Sequence, residues 1–97
     1  SCQMLQALNS LKFVKDIDYM FKSQIHYFSK KGIYVRTEML VDAWILTKDL
    51  EKEGYKFDEV NRLWLSKDNH SLIIGDVVKA KISYLNWDKN EINLNLY

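Results

Sequence analysis

Hydrophobic and polar positions alternate over most of this chain, and the alternation divides it into strand-length segments. Residues 3–14 are the exception. Met4, Leu5, Leu8 and Leu11, with Phe13 or Val14 one turn on, recur at three-to-four spacing and predict a helix. Beyond them period two dominates. Phe21, Ser23, Ile25 and Tyr27 fall on one face of a first strand, and Lys22, Gln24, His26 and Phe28 on the other. A bulge would turn Phe28 inward, where its ring belongs by hydrophobicity. Lys30-Lys31-Gly32 breaks the run; Ile33–Glu38 is a second strand and Leu40–Thr47 a third. Asp49–Gly54 is polar and predicts one helical turn. Asn61–Leu65 and Leu72–Ile74 predict a hairpin around Lys67-Asp68-Asn69-His70, which has turn chemistry. Val78, Ala80, Ile82 and Tyr84 share one face of a fourth principal strand, and Asp88-Lys89-Asn90 turns the chain into a last one carrying Ile92, Leu94 and Leu96.

A helical lead-in over residues 1–16 is thus followed by one compact body over 17–97. Five principal strands with an added hairpin predict an all-β fold, a five-stranded antiparallel barrel of the OB type with a short N-terminal helix. Such a barrel closes its own edges and leaves one face for a ligand.

Composition limits what that face does. The 97 residues carry 14 basic and 13 acidic side chains, a net charge of +1, so any grip on nucleic acid or membrane is local. The charge is uneven: residues 1–48 hold seven basic and four acidic groups, residues 49–97 seven and nine. Lysines dominate the basic set and attract phosphate as point charges. No apolar run approaches the length of a membrane span. The single cysteine, Cys2, cannot form an internal disulfide, and with no signal-peptide pattern the expected location is the cytoplasm. The start at Ser1 suggests a fragment of a longer protein.

Catalytic chemistry is not evident. The candidate carboxylates Asp49, Glu51, Glu53, Asp58 and Glu59 are interspersed with Lys48, Lys52 and Lys56 and read as a solvated acidic loop. His26 and His70 have no partner constellation, and Gly32, Gly54 and Gly75 are isolated, without a phosphate-binding loop. The expectation is a binding module with no catalytic residues, metal ligands or cofactor of its own. Trp44 and Trp87 read as structural, whereas Trp64 either packs on the barrel or stacks on a ligand.

Gly32-Ile33-Tyr34-Val35-Arg36 resembles the Gly-x-Phe-Val stretch of S1-type RNA-binding domains. Tyr55-x-Phe57-Asp58-Glu59, a hairpin, then Gly75-Asp76-x-Val78-x-Ala80-x-Ile82 is similar to the carboxy-terminal S1-type domain of bacterial ribonuclease R. Leu85-Asn86-Trp87-Asp88 with Ile92-Asn93-Leu94 resembles that family's last hairpin, and Leu11-Lys12-Phe13-Val14-Lys15-Asp16 its linker after the nuclease domain. The resemblance implies that residues 1–10 end the last nuclease-domain helix. It further implies a parent that is a magnesium-dependent hydrolytic 3′-to-5′ exoribonuclease, with its metal site in a separate domain, nuclease and cold-shock domains as neighbours, and a monomeric fragment.

The expected role is to hold single-stranded RNA. Alternation turns Ile33 and Val35 inward and Tyr34 and Arg36 outward, and the resemblance gives Tyr34 a base-stacking role. The expected RNA-binding residues are Tyr34, Lys31, Arg36, Lys30, Lys22, His26, Asp88 and Lys89. Lys22, Lys30, Lys31 and Arg36 would supply electrostatic attraction, so binding is expected to be weak and salt-sensitive, with about −0.7 in log–log slope per phosphate contact. The chain departs from the family at Lys31, where a second phenylalanine is usual, at Leu46 in place of a histidine, and at Glu91 in place of a base. Leu46 and Glu91 support the alternative of a protein-interaction module that has lost its RNA face, for which an exposed Trp44–Leu46 patch would be the sign, whereas Lys31 still allows a phosphate contact.

Overall fold

A computed structural model describes residues 20–86 and 88–97. The predicted helix over 3–14, the boundary at residues 16–17, the linker motif, Cys2 and Trp87 lie outside the described residues. In chain order the elements are β1 (Met20–Ser29), β2 (Gly32–Thr37), β3 (Asp42–Leu46), α1 (Thr47–Lys52), β4 (Tyr55–Asp58), β5 (Leu63–Ser66), β6 (Ser71–Leu72), β7 (Val77–Asn86) and β8 (Glu91–Leu96). Strands β1-β2-β3-β8-β7 close into a barrel, and β4-β5-β6 form a separate three-stranded sheet. Counting barrel strands alone, the order is that of an OB-fold. One correction applies to the expected all-antiparallel barrel: β3 and β8 pair in parallel, with Trp44 opposite Asn93.

The core follows from the alternation. Phe21, Ile25, Ile33, Val35, Ala43, Ile45, Ala80, Ile92 and Leu94 are all buried, and Leu50 joins them from α1. Helix α1 begins at Thr47, two residues before the polar stretch, and packs on β2, β3, β4 and β8. The predicted hairpin around residues 67–70 is present as β5–β6, with Asn69 at φ 63° in its turn. The sequence reading stopped short of β4, which pairs antiparallel with β5. Between them the Asp58 carboxylate accepts the backbone N–H groups of Val60 and Asn61, an Asx turn. Phe28, Phe57 and Trp64 join this sheet to the barrel, with ring centroids 5.7 and 5.4 Å apart along the series. Trp64 is buried, which settles its two readings in favour of packing.

Two bulges break the alternation. Against β2, the β1 register shifts between Ile25 and Tyr27, leaving His26 as the extra residue. Phe28 therefore turns inward, as the bulged reading required, and Tyr27 turns outward, against the expectation that it shares the inner face. Against β8, β7 shifts between Ile82 and Tyr84 around Ser83. Tyr84, expected inside with Ala80 and Ile82, is 56% exposed, and Leu85 takes the inner position.

Ser23 is fully buried on the inner face, and its hydroxyl has no hydrogen-bond partner among the described residues. An unpaired buried hydroxyl costs desolvation without return. Ser23→Ala is expected to raise stability by about 1 kcal/mol, read as a higher urea midpoint at unchanged slope; a lower midpoint would show that the hydroxyl is satisfied.

Candidate nucleic-acid interface

The two bulges and the strand registers place one row of side chains across the barrel wall. Tyr27 pairs with Tyr34, Tyr34 with Trp44, Trp44 with Asn93, and Asn93 with Tyr84, so the row crosses all five barrel strands. Its first three members form a compact aromatic cluster. The Tyr27 and Tyr34 rings stack at 4.6 Å with planes 12° apart. Trp44 stands edge-on to both, at 5.9 Å from Tyr27 and 5.1 Å from Tyr34. His26, the bulge residue, meets Tyr34 edge-on at 6.2 Å. Tyr27 is 45% exposed, and Tyr34 and Trp44 are half-buried.

Polar contacts fix the cluster from both sides. On one side Arg36 Nε donates to Asp42 Oδ1 at 2.9 Å. Burial raises the Asp42 pKa, but hydrogen bonds from Arg36 and from the Tyr34 hydroxyl outweigh it and hold the carboxyl below its usual range. Burial and the same Asp42 bond push the Tyr34 phenol up to about 12. On the other side Lys31 Nζ pairs with Glu91 Oε2 and lies over the Trp44 ring at 5.1 Å, a cation–π contact. Burial raises Glu91 too, but hydrogen bonds from Lys31 and Asn93 and the nearby charge of Lys89 bring it below its usual range.

Lowered carboxyls contribute stability that is present above their unfolded pKa of about 4 and lost as pH falls through the folded values. The raised phenol contributes stability present below about 10 and lost as pH rises through about 12. In tyrosinate absorbance, a step is expected near 12 and to be absent from Tyr34→Phe. The Asp42 bond assignment fails if that step survives the substitution.

The eight predicted RNA-binding residues do not form one patch. Tyr34, Arg36, His26 and Lys31 come together. Lys89 stands beside Glu91 in the β7–β8 turn, where its backbone N–H is bonded by Asn86, and Asp88 is exposed in the same turn. Lys30 lines a hollow with Phe28, Phe57 and Arg62 toward the three-stranded sheet. Lys22 lies beside Glu38 and opposite Lys79. Of the four cations expected to supply attraction, Lys31 and Arg36 are each paired with a carboxylate. Sequence reasoning missed Tyr27, because the bulge reverses its direction, and assigned Trp44 to structure; the outward side of β3 next to Tyr34 was its available signal. Asp42 was missed as well; it meets Arg36 across the β2–β3 pair.

Among the described residues no group of three or more His, Cys, Asp or Glu side chains is arranged to hold a metal. No helix among them is long and apolar enough to cross a membrane.

No protein-family model and no curated protein matches the chain. Solved structures do. The apo form of Mycoplasma genitalium RNase R matches with TM-score 0.72 and 23% identity over 92% of this chain. RNase R of that organism in complex with ribose methylated single-stranded RNA matches with TM-score 0.72 and 24% identity over 94%. In each case the matched region is 14% of the RNase R chain. An uncharacterized protein, MJ1198 from Methanocaldococcus jannaschii, matches with TM-score 0.52 and 16% identity over 82% of this chain and 89% of its own. At these identities the likeness is one of fold: the barrel and its side sheet share the architecture of one portion of RNase R.

Proposed function

We propose that this chain is an S1-type RNA-binding domain of an RNase R-like 3′-to-5′ exoribonuclease, and that it holds single-stranded RNA on the Tyr27–Tyr34–Trp44 face. The observation that carries the reading is the pinned aromatic cluster on the outer wall of an OB-type barrel. Every base has a π-face, so stacked aromatics grip single strands without reading sequence. The RNA-bound state of the similar RNase R supports the ligand class. Hydrolysis, with its magnesium, belongs in this proposal to a separate nuclease domain; cold-shock domains of the same cytoplasmic chain supply further RNA contacts, and tethering raises the effective grip of each. The fragment itself acts as a monomer.

Stacking carries more of the binding than charge, because Lys31 and Arg36 are already neutralised. The test is an NMR titration with short single-stranded RNA at low and moderate salt. Shifts are expected at residues 26–36 and 42–44, with a log–log salt slope no steeper than about −1.4, the equivalent of two phosphate contacts. A steep slope would return the lysines to the leading role. No shifts at either salt would overturn the reading in favour of a protein-interaction module. That alternative called for an exposed Trp44–Leu46 patch, whereas both side chains are half-buried and Trp44 is enclosed by Tyr27, Tyr34 and Lys31.

A further inference from the structure

The row that begins at Tyr27 does not end at Trp44. Beyond it the wall carries Asn93 and Tyr84, and between these and α1 lies a cavity of about 280 Å³ lined by Leu46, Lys48, Asp49, Ser83, Tyr84 and Asn93. Its volume is close to the lower bound of small-molecule sites, about 300 Å³. Tyr84, turned out by the Ser83 bulge, gives an exposed ring at its edge. Leu46 gives an apolar side.

Asn93 is the informative member. It is only 5% exposed, and its Nδ2 donates to Glu91 Oε1 at 2.9 Å. Glu91 is paired with Lys31, so it is an ionised acceptor and cannot donate. The amide must therefore give its NH₂ to Glu91, which leaves Oδ1 on the other side. Among the described residues no hydrogen bond is donated to that oxygen. That oxygen is not among the buried unpaired polar atoms of the described residues, Ser23 Oγ and Trp64 Nε1, so it is open to solvent and can accept from a ligand. The Asp49 carboxylate adds a second acceptor to the same cavity, and the Ser83 hydroxyl serves either way.

We infer that this cavity is a nucleobase pocket at the end of the stacking row, in which Tyr84 stacks on the base and Asn93 Oδ1 with Asp49 accepts hydrogen bonds from an exocyclic amino group. Adenine, cytosine and guanine each present such a group on their base-pairing edge. Uracil has no amino group there: its single N3–H donor lies between two carbonyl oxygens, which would face the two acceptors. The pocket thus adds a preference for amino-bearing bases to a face that otherwise grips any single strand. It rests on the proposed RNA-binding function. Lys48 at the rim is placed to meet the phosphate of the same nucleotide.

The experiment is a fluorescence-anisotropy titration of the whole 97-residue chain with labelled rA, rC and rU homopolymers of equal length, followed by NMR mapping, including the Asn93 side-chain NH₂ signal. The expected result is binding of rA and rC about tenfold tighter than rU, with shifts at Ser83, Tyr84 and the Asn93 amide. Asn93→Leu should remove the preference. Because Asn93 is buried, Tyr84→Ala and Asp49→Ala serve as surface variants that should also reduce it without altering the fold. Equal binding of all three RNAs, with shifts confined to Tyr27, Tyr34 and Trp44, would overturn the pocket and leave the RNA-binding function standing. Shifts at Asn93 with no preference would overturn the amino-group assignment. Failure to bind any of the three would overturn the RNA-binding function and the pocket with it.

Discussion

Gly32→Ala is expected to prevent folding of the barrel or to cost it at least about 4 kcal/mol, the range reserved for diagnostic lesions. Gly32 opens β2 opposite Leu46, at φ 146°. A Cβ placed there would sit 2.0 Å from the Ile45 carbonyl oxygen and 2.9 Å from the Leu46 Cα, both backbone atoms that cannot rotate away. The control is Gly75→Ala. Gly75 also has positive φ, 98°, but a Cβ there meets nothing within 4 Å. It should lose only the conformational term, about 1–2 kcal/mol. Urea unfolding followed by circular dichroism separates the cases. If the two variants have the same midpoint, the close approach of β2 to β3 at Gly32 is not what requires glycine.

Tyr34→Ala is expected to weaken single-stranded RNA binding about 10- to 100-fold while leaving the barrel folded. Stacking contributes roughly 1–3 kcal/mol per base, and tenfold corresponds to about 1.4 kcal/mol. The residue is also the hub of its cluster: Tyr27 stacks on it, Trp44 and His26 meet it edge-on, and its hydroxyl is held by Asp42. Its loss therefore frees its neighbours as well as removing one ring. Tyr34→Phe keeps the ring and loses the hydroxyl, so it should retain most of the affinity. Tyr34→Ala binding RNA like the unaltered chain, with an intact spectrum, would remove the stacking assignment.

Much of the barrel was legible because one face of each strand must be buried. The inward Ile33 and Val35, the outward Tyr34 and Arg36 and the turn at residues 67–70 all follow from period-two patterning and turn chemistry. The errors share a cause. A bulge adds one residue without any compositional mark, and every side chain beyond it changes face. Tyr27 and Tyr84 were both assigned inward for that reason. The paired cations were misjudged differently: Asp42 is six residues from Arg36, and Glu91 sixty from Lys31, so only the folded chain makes them partners. The S1-like motif pointed to Tyr34 but carried no information about the rings around it.

The parallel contact between Trp44 and Asn93 has a kinetic consequence. These residues are separated by about half the chain, and loop-closure entropy must be met before their pairing returns any energy. The β1–β2–β3 meander can assemble from neighbours in sequence, and so can the β7–β8 hairpin. The seam between them cannot. Tyr27, Tyr34 and Trp44 can thus gather early, whereas the Trp44-to-Asn93 step of the row exists only once the barrel has shut. A partly folded chain emerging during synthesis would already display aromatic rings yet lack the complete track, so full engagement of a strand spanning the row would report that folding is finished.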